Sequence, residues 1–70
     1  MSKNNMIWAL SSKYQAEIAA AKANIEVYLS NPVGIGEHPD MVAALDEQMS
    51  KLSEAEDKYE TIIKNYGIDG

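Results

Sequence analysis

Two stretches with heptad spacing, separated by a single segment that holds both prolines, limit the folds open to this chain. In the first stretch, apolar residues recur every seven positions, and others interleave at steps of three and four: Ile7, Tyr14, Ile18, Ala21, Ile25 and Tyr28. This alternation is typical of a coiled-coil seam, the stripe that faces a partner helix. We therefore predict a helix over about 5–30, with Ser11 as a polar entry on its seam.

The second stretch predicts a helix over about 39–66. Its predicted seam has the same spacing and consists of Val42, Leu45, Met49, Leu52, Tyr59, Ile63 and Tyr66, and Met41, Ala55 and Ile62 widen the stripe. Glu56 is the one polar intrusion. A break near Ser53 is not expected, because neither glycine nor proline occurs there.

The helix ends carry capping residues. The first helix can begin at Asn4 or Asn5, or later at Ser12 with a capping box, and Ile7 in the heptad phase favours the earlier start. In the second helix, Pro39 and Asp40 suit the first turn, since proline lacks a donor and an anion complements the helix dipole.

At the other end of the second helix, Gly67 is a predicted C-cap. Three acid–lysine pairs four residues apart are expected to support this helix: Glu47–Lys51, Glu54–Lys58 and Glu60–Lys64.

A short connection between helices of similar length predicts an antiparallel two-helix hairpin that forms a single domain over 1–70, with the loop at 31–38. A lone hairpin buries one shared stripe, which is little against the entropy of ordering about 60 residues. We therefore expect an all-α fold in which two hairpins complete a four-helix bundle by dimerisation, or in which one hairpin docks on another protein.

The residues expected at such an oligomer or partner interface combine the seams with the apolar residues beside them. They are Ile7, Trp8, Leu10, Tyr14, Ile18, Ile25, Leu45, Met49, Leu52, Tyr59, Ile62 and Ile63. Trp8 has two open roles, as an anchor for a partner or as a plug at the open end of the bundle. The four tyrosines are most simply seam residues whose hydroxyls reach the rim.

Charge and composition exclude several functional classes. The net charge of −5 disfavours direct binding to nucleic acid or to an anionic membrane. The charge is uneven, since residues 1–36 carry a net +1 and residues 37–70 a net −6, so unlike helices are expected to pair. With no cysteine, thiol catalysis and cysteine-ligated metals are excluded.

The loop residues Pro32, Gly34, Gly36, His38 and Pro39 are expected to be structural. His38 is the single histidine, and a metal site would need further ligands. Gly34 and Gly36 lack the strand, third glycine and lysine of a phosphate-binding loop. We expect no cofactor and no metal, and because a two-helix protein offers little concavity to perturb a carboxylate pKa, we expect no catalysis.

The segment Tyr28–Met41 (YLSNPVGIGEHPDM) resembles the central part of small helical proteins encoded by tailed, T4-like marine phages. The likeness continues more loosely to about Tyr59. It implies a phage-encoded helical protein and brings no catalytic residues with it.

Two functions are therefore expected as alternatives. The first is a self-associating structural or assembly component, located in the host cytoplasm or in the virion and not secreted. The second is an acidic regulatory binder that docks on a host protein, at a basic surface that otherwise binds nucleic acid.

Overall fold

The computed structural model describes residues 2–30 and 40–67, with side chains from Asn5 onward. It consists of two helices packed against each other, α1 (Ser2–Ser30) and α2 (Met41–Tyr66), which confirms the predicted helical hairpin. No strand occurs in these residues. The predicted loop 31–38, with its structural residues, and Pro39 lie outside the described part of the chain.

The two helices run antiparallel. Gln15 of α1 is hydrogen-bonded to Tyr59, whereas Asn24, further along α1, is hydrogen-bonded to Gln48, earlier in α2. The molecule measures 49 × 15 × 15 Å, and its radius of gyration of 15.3 Å exceeds the roughly 11 Å of a compact domain of this length. The hairpin is therefore a rod.

The seam of α1 lies where its spacing predicts. Ser11 and Ala21 are buried, and the remaining seam residues are half-buried: Ile7, Tyr14, Ile18, Ile25 and Tyr28. The helix begins at Ser2, before both predicted starts. The later start at Ser12 is wrong, and Asn4 and Asn5 lie inside the helix rather than at its N-cap.

The seam of α2 differs from its prediction by one position in part of its length. Gln48, Ala55 and Ile62 are buried, whereas Val42, Met49 and Tyr66 are exposed by 78%, 49% and 60%, and Glu56 is also exposed. The prediction that Val42, Met49, Glu56 and Tyr66 belong to the seam is wrong. The predicted line ran through Met49 and Glu56, but packing against α1 buries the residue before each of them. The small Ala55 fits against α1, and Asn24 of α1 satisfies the amide of Gln48.

Both caps of α2 are formed, one of them shifted from its predicted position. Asp40 is the N-cap rather than a first-turn residue, because its Oδ1 accepts a 3.0 Å hydrogen bond from the Ala43 N–H and satisfies a donor that has no partner within the helix. At the other end, Gly67 adopts the left-handed conformation with φ of 68° and donates to the Ile63 carbonyl at 3.0 Å, which confirms the predicted C-cap.

Candidate interaction surfaces

The hairpin has two flanks, and they differ in chemistry. The seam of each helix alternates between two heptad positions. In an antiparallel helix pair, the residues that directly follow one of these two positions lie on the same flank in both helices. Here that flank carries Trp8, Leu29, Val42, Met49 and Ile63, which follow Ile7, Tyr28, Met41, Gln48 and Ile62. We call these five residues the apolar face.

Most of the apolar face is open to solvent. Trp8, Leu29, Val42 and Met49 are exposed by 47%, 65%, 78% and 49%. A groove of about 690 Å³ joins Leu29 of α1 to Met49 of α2, and the small side chains of Ala19 and Ala23 leave space within it. Its other lining residues are Lys22, Ile25, Glu26 and Leu52. This flank is therefore a shallow apolar surface crossed by two charges.

The opposite flank is polar and holds a smaller groove of about 360 Å³. Its charged and amide lining residues are Glu17, Asn24, Gln48, Lys51, Glu54 and Lys58, with Ala20, Ala21 and Ala55 beneath. We call this flank the polar face. Charges of both signs alternate across it, so it offers no single-sign field for an ionic ligand.

Polar contacts between the helices set their alignment. Asn24 Nδ2 donates to Gln48 Oε1 at 3.2 Å, and Gln15 Nε2 lies 3.2 Å from Ser11 Oγ and 3.4 Å from Tyr59 Oη. Ser11 is fully buried and Gln48 is 9% exposed. Among the described residues no buried side-chain polar atom lacks a partner. A shift of one helix along the other would break the Asn24–Gln48 and Gln15–Tyr59 contacts, so they favour this alignment.

An ion pair within α1 lies beside the Tyr14 ring, which Lys58 of α2 also approaches. Lys13 Nζ lies 2.8 Å from Glu17 Oε2, and Lys13 and Lys58 approach the Tyr14 ring to 5.9 and 5.7 Å. The hydrogen bond from Lys13 lowers the pKa of Glu17, and the same bond with Glu17 raises the pKa of Lys13. Both side chains are exposed, so solvent screens the pair and it contributes little to stability.

Of the three acid–lysine pairs predicted along α2, all within described residues, Glu54–Lys58 alone comes into contact, at 3.8 Å. The other two pairs, Glu47–Lys51 and Glu60–Lys64, are not formed. Exposed side chains gain little from holding one geometry, which is the physical reason for their separation.

The predicted interface residues divide into two groups. Ile62 is buried and Ile7, Tyr14, Ile18, Ile25, Leu45, Leu52, Tyr59 and Ile63 are half-buried, whereas Trp8, Leu10 and Met49 are exposed. Most of the first group packs within the hairpin, while Trp8 and Met49 remain available to another molecule. Sequence reasoning missed Gln48 as a seam residue, although its heptad phase with Ala55 and Ile62 could have identified it.

In the described residues, no three histidine, aspartate or glutamate side chains come close enough to hold a metal ion. Neither described helix is long and apolar enough to cross a membrane. No family model, curated protein or solved structure matches the chain. The surfaces themselves therefore carry the functional argument.

Proposed function

We propose that this protein is a non-enzymatic, self-associating helical component that works as a homodimer, two hairpins forming a four-helix bundle. The observation that carries the proposal is the mismatch between core and surface. The hydrophobic residues buried in the described helices are Ala21, Ala55 and Ile62. Eight large hydrophobic residues of the same helices are exposed, and four of them share one flank: Trp8, Leu29, Val42 and Met49.

The exposed area agrees with this proposal. The chain exposes 5148 Å², whereas a compact monomer of 7.7 kDa exposes roughly 4,300 Å². The excess is on the order of 800 Å², about the share that one partner contributes to a standard interface. The elongated shape of the hairpin accounts for a larger exposed area than that of a compact domain, and burial of one flank would remove area of this order.

The pattern of apolar residues also supports a bundle. A strict two-position seam is sufficient for a two-stranded coiled coil, whereas helices in a bundle carry a third apolar position beside it. The apolar face is that third position. It is apolar at Val42, Met49 and Ile63 of α2 and at Trp8 and Leu29 of α1, and polar at Gln15, Lys22 and Glu56. Together with the resemblance of Tyr28–Met41 to phage proteins, this supports a structural or assembly role in a phage particle.

Sedimentation equilibrium from low micromolar to millimolar concentration, with circular dichroism on the same samples, tests the proposal. We expect a dimer whose helicity falls as it dissociates. A monomer that keeps its full helicity over the whole range would overturn the proposal.

A second candidate, an acidic regulatory binder, is favoured by one specific observation. All six acidic residues of α2 are exposed: Asp46, Glu47, Glu54, Glu56, Asp57 and Glu60. Titration of the protein with a lysine-rich peptide tests it. Salt-sensitive binding that is lost in a variant with Glu47, Glu54 and Asp57 changed to amides would favour this candidate, and absence of binding would exclude it.

A further inference from the structure

From the apolar face we infer the geometry of the dimer: two hairpins pack through their apolar faces with α1 of each against α2 of the other, so that the Ser30 ends of both α1 helices lie at the same end of the bundle. This inference rests on the proposed function and names its partner, a second copy of this chain. We call it the same-end arrangement. In the alternative, the opposite-end arrangement, each helix packs against its own copy.

Apolar residues match in the same-end arrangement. The Gln15–Tyr59 and Asn24–Gln48 contacts show that Trp8 lies level with the last turn of α2 and Leu29 with its first turn. Placing α1 on α2 of a second copy therefore brings Trp8 to Ile63 of that copy and Leu29 to Val42. The contact is isologous, because the two-fold axis repeats each pair.

Charge also favours the same-end arrangement. Helix α1 contains three lysines and two glutamates, a net +1, and α2 contains six acidic residues and three lysines, a net −3. Packing α1 against α2 places unlike helices together across the new interface, as they already are within the hairpin.

The opposite-end arrangement is worse on both counts. It sets two α2 helices of net −3 against each other, and Glu56, which continues the line of Met49 and Ile63, then approaches its own copy. When the two-fold axis crosses α1 at its midpoint, this arrangement also places Trp8 against the stretch of the second copy that contains Lys22 and Glu26. With this axis Trp8 loses the apolar partner that it has in the same-end arrangement, where Lys22 is the residue that lies near Met49.

A matched pair of substitutions tests which flank forms the interface. Leu29 and Val27 are 65% and 53% exposed and lie two residues apart in α1, but only Leu29 belongs to the apolar face. We expect Leu29→Asp to weaken dimerisation about 100-fold or more, because each dimer loses two apolar contacts, and Val27→Asp to leave it within about 3-fold of wild type. The reverse result would overturn the inferred interface.

Spin-label distances test the arrangement, and the absence of natural cysteine allows single-site labelling. Ser30→Cys and Ala16→Cys place labels on the same exposed line of α1, at its end and near its middle. In the same-end arrangement both labels give a separation of roughly 25 Å. In the opposite-end arrangement the two labels at residue 16 remain close, whereas the two labels at residue 30 are roughly 40 Å or more apart. Residue 30 lies fourteen residues, or about 21 Å, beyond the middle of α1 in each copy, and the two copies point in opposite directions.

The outcomes separate the two claims. Short distances at both sites support the same-end arrangement. A short distance at residue 16 with a long one at residue 30 overturns this arrangement and leaves the homodimer intact. Absence of any dipolar coupling, together with monomeric sedimentation of the unlabelled protein, overturns the homodimer and the arrangement with it.

Discussion

Asn24 Nδ2 donates a 3.2 Å hydrogen bond to Gln48 Oε1 across the contact between α1 and α2. The bond joins Asn24, on the exposed edge of α1, to a buried amide in a seam that is otherwise built largely from apolar and small side chains. It satisfies Gln48, which is 9% exposed. In coiled coils a single polar pair of this kind fixes register at some expense in stability.

Removing the donor of this pair should destabilise the hairpin. Asn24→Ala leaves the buried Gln48 amide without its α1 partner, so we expect the free energy of unfolding to fall by about 1–3 kcal/mol. Urea unfolding followed by circular dichroism measures the change. The matched variant Asn24→Ala with Gln48→Leu should recover most of the loss, and a double variant no more stable than Asn24→Ala would contradict a role for this bond.

The buried position of Ile62 can be tested against an exposed apolar residue. Ile62 is 6% exposed, whereas Val27 is 53% exposed. We expect Ile62→Ala to lower the free energy of unfolding by about 2–4 kcal/mol, because it removes packed methyl groups and leaves a cavity. Val27→Ala should change it by less than about 0.5 kcal/mol. Equal effects in thermal melts would show that the seam of α2 runs elsewhere.

The N-cap of α2 depends on the side chain of Asp40. Asp40→Ala removes the acceptor for the Ala43 N–H, so we expect a loss of about 1 kcal/mol in unfolding free energy. Asp40→Asn keeps an acceptor oxygen and should retain most of the stability. Thermal melts followed by circular dichroism check this. If both variants unfold at the same temperature as the wild type, the helix does not depend on this cap.

The ion pair of Lys13 with Glu17 predicts a pH dependence of definite sign. Because Lys13 holds the pKa of Glu17 below its ordinary 4.5, the stabilisation is present above that value and is lost as pH falls through the lower folded-state pKa. Lys13 has a raised pKa. The stabilisation that it contributes is therefore fully present below pH 10.5 and is lost as pH rises through its folded-state pKa.

Glu17→Gln should therefore melt slightly below the wild type at pH 7 and together with it well below pH 4. The difference at pH 7 should shrink in high salt, since both side chains are exposed. Thermal melts at pH 7 and near pH 2 check this. A larger difference at acid pH than at neutral pH would contradict the assigned pair.

The seven-residue spacing determined the helical hairpin and the seam of α1, because Ile7, Tyr14, Ile18 and Ile25 offer one apolar stripe that a helix can bury. The glycine at position 67 determined the end of α2, since it adopts a positive φ without strain.

Tertiary packing decided the seam of α2. That helix carries apolar residues at neighbouring positions, such as Ile62 with Ile63, and either line could face α1. The hydrogen bond from Asn24 to Gln48 and the close fit of Ala55 selected the line that ends at Ile62. The same choice turned Met49 and Val42 outward, so the apolar face arises from the packing of two helices and cannot be obtained from either helix alone.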